Sequence, residues 1–308
     1  MLVSFDSEQE PFKPAPIKLP VAGWFHVEKP TDDDLGRLRA AGFPSTLLAH
    51  ALDENELARI DHTAGCTLVV LRVPCAGDPD DTIPFRTTSL ALLRKDRLVV
   101  TVSCRPSEVI ADVLRARDPD VSSVERLLPR LLQETAERFL RLVQEIEKCV
   151  EQLEEELQVS QRNREVVGLL RYQKALVHFT TALASDAIML ERLARDAHDN
   201  LFNLDRDLMD DVTVEFRQAI EMTKIQEEIL SQMMDAFASI ISNNLNVVVK
   251  VLTALTIVLT IPTMVASFYG MNVNLPGQHH PAAFLGTVLI SLLGAAILAL
   301  WFWRKRWL

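Results

Sequence analysis

The stretch VVVKVLTALTIVLTIPTMVASFY, Val247–Tyr269, followed after a short loop by AAFLGTVLISLLGAAILALWFW, Ala282–Trp303, decides the fold. The second run carries no charge from end to end and is long enough, at about 1.5 Å per residue, to cross roughly 30 Å of hydrocarbon. The first is interrupted only by Lys250, one turn in, where a long side chain can reach back to the headgroups. Between them GMNVNLPGQHHP, Gly270–Pro281, is uncharged and carries Gly and Pro breakers. Two spans and a tight loop predict a membrane hairpin, with helices over 247–269 and 282–303 and the connection over 270–281. Lys250 marks one outer end and Arg304, Lys305 and Arg306 the other, while the loop has no Lys or Arg. The positive-inside bias therefore predicts a multi-pass protein of the cell (inner or plasma) membrane, with both termini cytoplasmic and the loop outside. Trp301, Trp303 and Trp307 stand where an interfacial aromatic belt is expected.

Charge is distributed unevenly around this hairpin. From Ile241 onward there is no Asp or Glu, and Lys250 with the 304–306 tail makes that stretch +4. The chain as a whole is −10, so residues 1–240 carry −14. An acidic front excludes nucleic acid as a partner, because phosphates demand clustered Lys and Arg. It suits cations, as does any solvated acidic surface. Cys66, Cys75, Cys104 and Cys149 show no CxxC spacing and read as reduced thiols. MLVSFDSEQEPFKP has no basic start followed by an apolar run, so no cleaved signal peptide is expected.

Residues 1–123 read as a cytoplasmic α/β sandwich domain within an α+β membrane protein. Thr67–Val73, Thr88–Leu93 and Leu98–Ser103 are strand candidates, and Pro44–Leu52 and Ser107–Ala116 helical ones. From Arg130 to Ile261 there is no Pro, and from Leu169 to Tyr269 no Gly. Apolar residues then recur at helical spacing: Leu128, Leu131, Leu132, Phe139, Leu142, Val143, Ile146, Val150, Leu153 and Leu157. This predicts two long antiparallel helices over about 124–160 and 163–200, within a segment 124–204. A stalk helix over 205–246 follows, with nothing to stop it before the membrane, so Asp210–Tyr269 is expected as one rod of roughly 90 Å. Residues 304–308 form a basic cytoplasmic tail.

Counting back from Ser267 in alternating steps of four and three gives Thr263, Thr260, Thr256, Thr253, Val249, Asn246, Ser242, Ser239 and Asp235. Such steps hold one face of a helix in a left-handed bundle. A hydroxyl-rich face inside a membrane points at protein or water rather than lipid, or else satisfies itself on the preceding turn's carbonyls. If it lines water, Val249 with Leu245 and Leu252 would form an apolar constriction able to block ions by dewetting. One hairpin cannot enclose a pore, so several subunits are needed.

The run SFYGMN, Ser267–Asn272, at the end of a span resembles the signature of the CorA family of magnesium channels. NNLNVVVKVLTALT, Asn243–Thr256, is similar to that family's stalk-to-membrane junction. DENELARIDHTAGCTLVVLRVP and LRKDRLVVTVS are similar to its cytoplasmic domain. The resemblance implies a homopentameric funnel embedded in lipid, with no cofactor and Mg2+ as both transported and regulatory ion. It implies a selectivity filter at Gly270, Met271 and Asn272, with Thr253, Thr256, Thr260, Thr263, Asn246 and Ser242 lining the pore. Asp211 falls where an inter-subunit metal ligand is expected and Asp235 where an acidic pore ring is expected, although so acidic a helix would supply an Asp nearby in any case. Transport would be passive and driven by the membrane potential, of Mg2+ and also Co2+ or Ni2+, and gated by intracellular divalent cation.

Many members of the family carry a Glu after the loop Pro. Here Pro276 is followed by Gly277, Gln278, His279 and His280. Imidazoles suit softer metals, so a Zn2+ transporter of the related ZntB type is the alternative on the same scaffold. An enzyme is not expected: HExxH, GxSxG and GxxxxGK[ST] are all missing.

Overall fold

Seven segments between Leu2 and Ser103, the central ones rich in apolar and β-branched residues, pair into one sheet in the computed structural model, which describes residues 2–6, 9–14, 22–78, 82–116, 124–160, 163–196, 204, 206–273 and 281–307. The strands are β1 (Leu2–Asp6), β2 (Gln9–Pro14), β3 (Ala22–Glu28), β4 (Arg59–Thr63), β5 (Cys66–Ala76), β6 (Phe85–Lys95) and β7 (Arg97–Ser103). Their order across the sheet is β2-β1-β3-β7-β6-β5-β4. All neighbours are antiparallel except β3 and β7, which run parallel with Phe25 opposite Val100. Tight turns fix the registers on either side. Ala64 and Gly65, both with positive φ, close the β4–β5 hairpin so that Thr63 pairs with Cys66.

Side-chain alternation then separates the two faces of the sheet. Phe25, Val27, Leu68, Val70, Leu93 and Val100 meet Leu38 of α1 (Asp32–Ala40) and Leu47 and Leu48 of α2 (Ser45–Ala51) in one buried cluster. The start of α1 is fixed by a capping box between Thr31 and Asp34. Val69, Leu71 and Leu92, on the other face, are equally buried where α4 (Val124–Ser160) and α5 (Asn163–Asp196) contact the sheet. The short α3 (Glu108–Arg115) leads from β7 to α4. Helices thus cover both faces of the sheet, but one of the two layers is α4 and α5, which lie beyond the residues 1–123 expected to form the sandwich by themselves.

The apolar stripe of α4 is buried as its spacing requires, with Leu153 half-buried and the rest inside, while Glu145, Glu151, Glu155 and Glu156 face solvent. Phe139 of α4 meets Phe179 of α5 edge-on, centroids 5.2 Å apart. Two side chains of α5 pin it to the sheet region: Ser185 Oγ accepts the Ala58 N–H at 2.8 Å, and Asp186 Oδ1 accepts the Arg72 N–H at 2.8 Å. Asp186 is fully buried, and that burial pushes its carboxyl well above the ordinary carboxylate range. The expected helix over 163–200 ends, among the described residues, at Asp196. All four cysteines are free thiols.

Arg206–Tyr269 is a single helix, α6, and Ala283–Arg304 forms α7. Both contain stretches apolar and long enough to cross a membrane. Pro262 lies inside α6, where the missing N–H leaves the Val258 carbonyl without its helical donor. The chain divides into two units, Met1–Gln232 and Met233–Leu308. At the end of α7, Arg306 takes the left-handed conformation, φ 58°, and reverses the backbone.

Candidate functional site

Within the second unit, α6 buries one side. Ala254 is fully buried and Val258, Ile261 and Val265 are half-buried, at steps of four, three and four that keep them on one helical face. Gly294 of α7 lies against Ile261 there, and its small size lets the two helices approach closely.

Ser242, Asn246, Val249, Thr253, Thr256, Thr260 and Thr263 are all exposed. At about 100° per residue, their stripe is centred roughly 145° round the helix from the face that α7 covers. Each threonine donates its hydroxyl proton one turn back: Thr253 to Val249 C=O at 2.7 Å, Thr256 to Leu252 at 2.8 Å, Thr260 to Thr256 at 2.8 Å and Thr263 to Leu259 at 2.9 Å. The self-satisfied alternative thus holds for the donors. The oxygen lone pairs stay available on the exposed face. Leu245, Val249 and Leu252 are 61%, 60% and 62% exposed, an apolar patch adjoining the stripe.

Beyond Tyr269 the chain leaves the helix through a tight turn. Gly270 N–H donates to Ala266 C=O at 2.9 Å and Met271 N–H to Phe268 C=O at 3.2 Å. A Cβ on Gly270 would stand 3.3 Å from the Ala266 oxygen, so a side chain there would press on the backbone. Asn272 follows, exposed. Residues 274–280, with Pro276, His279 and His280, lie outside the described residues.

In the first unit, Asp211 is exposed and borders a cavity of about 220 Å³ with Gln133, Leu208, Val212, Val214 and Glu215. Gln133 Nε2 donates to Glu215 Oε1 at 3.3 Å. Burial, reinforced by the Glu137 and Asp211 charges, pushes the Glu215 carboxyl up. Glu215 is absent from the residues expected at a metal site, although its i,i+4 spacing from Asp211 puts both on one face. Asp235 is exposed in the second unit. Among the described residues no three His, Cys, Asp or Glu side chains come together in a way that could hold a metal ion.

Residues 21–306 match the family model described as CorA-like Mg2+ transporter protein. The chain is 25% identical over 293 residues to the cobalt/magnesium transport protein CorA of Methanocaldococcus jannaschii, covering 92% of this chain and 91% of that one. The complete structure of the CorA magnesium transporter from that organism has a TM-score of 0.82 at 22% identity, over 100% of this chain and 98% of the other. The cytoplasmic domain of ZntB from Vibrio parahaemolyticus has a TM-score of 0.63 at 12% identity, over 78% of this chain and 98% of that one. At such identities these structures share the fold.

Proposed function

Since the chain belongs to the CorA family, a family of transporters, we propose that this membrane protein conducts divalent cations, Mg2+ first and Co2+ or Ni2+ as well, through a homopentamer. The observation that carries this reading is the hydroxyl stripe of α6, left uncovered on the side away from α7. Polar groups facing hydrocarbon are costly, and further copies of the same helix would turn them toward water. In that arrangement α7 and the apolar residues of α6 meet lipid, and both termini lie in the cytoplasm.

Magnesium holds its inner waters tightly, so a selective mouth should take the hydrated ion. A ring of Asn272 side-chain oxygens would accept hydrogen bonds from those waters without trapping the charge as carboxylates could. The threonine oxygens continue the same chemistry inward, because donors spent on the helix leave only acceptors for the outward-pointing hydrogens of a hydrated cation. The membrane potential drives entry, at about 4.6 kcal/mol for a divalent ion per 100 mV. Leu245, Val249 and Leu252 form the dewetting gate. Intracellular cation at Asp211, with Glu215 one turn on, holds the closed state, and the ligands still wanting there come from a neighbouring copy. Asp235 forms an acidic ring near the inner mouth. Magnesium is favoured over zinc because the 25% identical relative bears a cobalt/magnesium name, whereas the likeness to ZntB is one of fold.

The decisive experiment is uptake of Mg2+, Co2+, Ni2+ and Zn2+ into liposomes holding the purified chain, under an imposed potential. Mg2+ uptake that follows the potential and disappears in Asn272→Ala is expected. Zn2+ uptake alone would select the ZntB-type reading.

A further inference from the structure

The last turn of α7 closes in a way that glycine ordinarily permits. Trp307 N–H donates to Phe302 C=O and Arg306 N–H to Trp303 C=O, each at 3.0 Å, the bond pair of a Schellman end. The residue that must turn left-handed is Arg306, at φ 58°. An L side chain pays a steric cost there that glycine does not. The Trp307 ring stacks on Phe302, with centroids 5.5 Å apart and planes at 22°. Trp301 meets the same ring edge-on at 5.1 Å, and Phe302 is only 4% exposed. Arg304, Lys305 and Arg306 stand exposed beside this aromatic cluster, and no Asp or Glu occurs in residues 241–308.

A glycine at 306 would make the same turn without strain but would carry no charge. The strained arginine keeps three successive cations on one folded turn, next to rings suited to the boundary between hydrocarbon and water. A guanidinium can grip a phosphate through two parallel hydrogen bonds. We infer that this turn is a headgroup site for an anionic phospholipid, with Arg306 as its principal ligand and the folded-back Trp307 beside the glycerol backbone. The inference rests on α7 spanning a membrane, as the functional reading requires.

The test is electron spin resonance of the full chain in phosphatidylcholine vesicles doped with spin-labelled phosphatidylglycerol or spin-labelled phosphatidylcholine. The readout is the fraction of label immobilised on the protein. Wild type should hold phosphatidylglycerol in clear preference, and Arg306→Gly, which keeps the turn, should abolish the preference. Lys305→Gln removes the same charge from an unstrained position and should weaken the preference no more than roughly fivefold, the worth of one cation at an anionic surface. Equal losses in the two variants would mean diffuse charge only and would overturn the site. So would an inserted wild type that shows no preference. Failure of the wild type to insert into phosphatidylcholine vesicles at all would instead overturn the membrane reading of α7, and the site with it.

Discussion

Gly294 of α7 faces Ile261 of α6 so closely that a Cβ on the glycine would stand 3.1 Å from Ile261 Cγ2. Between helices in lipid, where apolar burial gives little net drive, such backbone approach supplies much of the packing. Gly294→Leu should therefore lower stability in detergent by about 1–3 kcal/mol through overpacking. Gly294→Ala should do less, since the Ile261 methyl group can shift. Combining Gly294→Leu with Ile261→Ala should recover part of the loss. Additive losses in thermal melts would show that the two residues do not share one contact.

The threonines can be separated from plain helix packing. Thr260→Ser keeps a hydroxyl that bonds back to Thr256 and leaves its oxygen outward, so Mg2+ flux should persist. Thr260→Val is nearly isosteric but removes the outward oxygen, and flux should fall several-fold at unchanged protein level. Equal flux from both variants would remove this position from the ion's path.

Val249 addresses the gate. Replacing this exposed residue with Asn or Gly should wet the proposed constriction and raise conductance at a given potential. Unchanged single-channel current would move the gate elsewhere on α6.

Asp186 provides a pH signature of the first unit. Its folded carboxyl titrates above the ordinary 3.8 because it is buried. The folded state therefore binds more protons than the unfolded one above that pH, and stability from this group falls as pH rises from about 4. Asp186→Asn keeps the acceptor for the Arg72 N–H and removes the titration. Its advantage over wild type should grow as pH rises, in urea melts run across the acid-to-neutral range. Asp186→Ala strands that N–H and should cost about 1–3 kcal/mol.

The two candidate spans were legible because charge-free length and basic flanks are local properties of the chain, and SFYGMN sits beside the first of them. The strands Thr67–Val73 and Leu98–Ser103 were legible for a related reason, being buried β-branched runs, and Thr88–Leu93 as a short run bounded by polar residues; they lie within β5, β7 and β6. The parallel pairing of Phe25 with Val100 left no local trace, since long-range register is set by the closed core. Nor did the sequence say how Arg72 could sit in a buried strand. Its guanidinium donates to the carbonyls of Glu54 and Glu56, in the segment between α2 and β4, and of Thr87 in β6, three oxygens that only folding brings together. Glu215 stayed hidden among many acidic neighbours until burial distinguished it. The direction of the threonine protons was likewise invisible, because either partner satisfies a hydroxyl equally well on paper.

That direction has a consequence for how sign is told from size. Outward of the proposed Asp235 ring, the proposed lining from Val249 to Asn272 carries no formal charge, so it has no monopole field for dissolved salt to weaken, and ions would be discriminated there by which end of a water molecule they turn outward. Rejection of chloride should then survive molar salt, where the Debye length shrinks to about 3 Å and rings of fixed charge lose their grip.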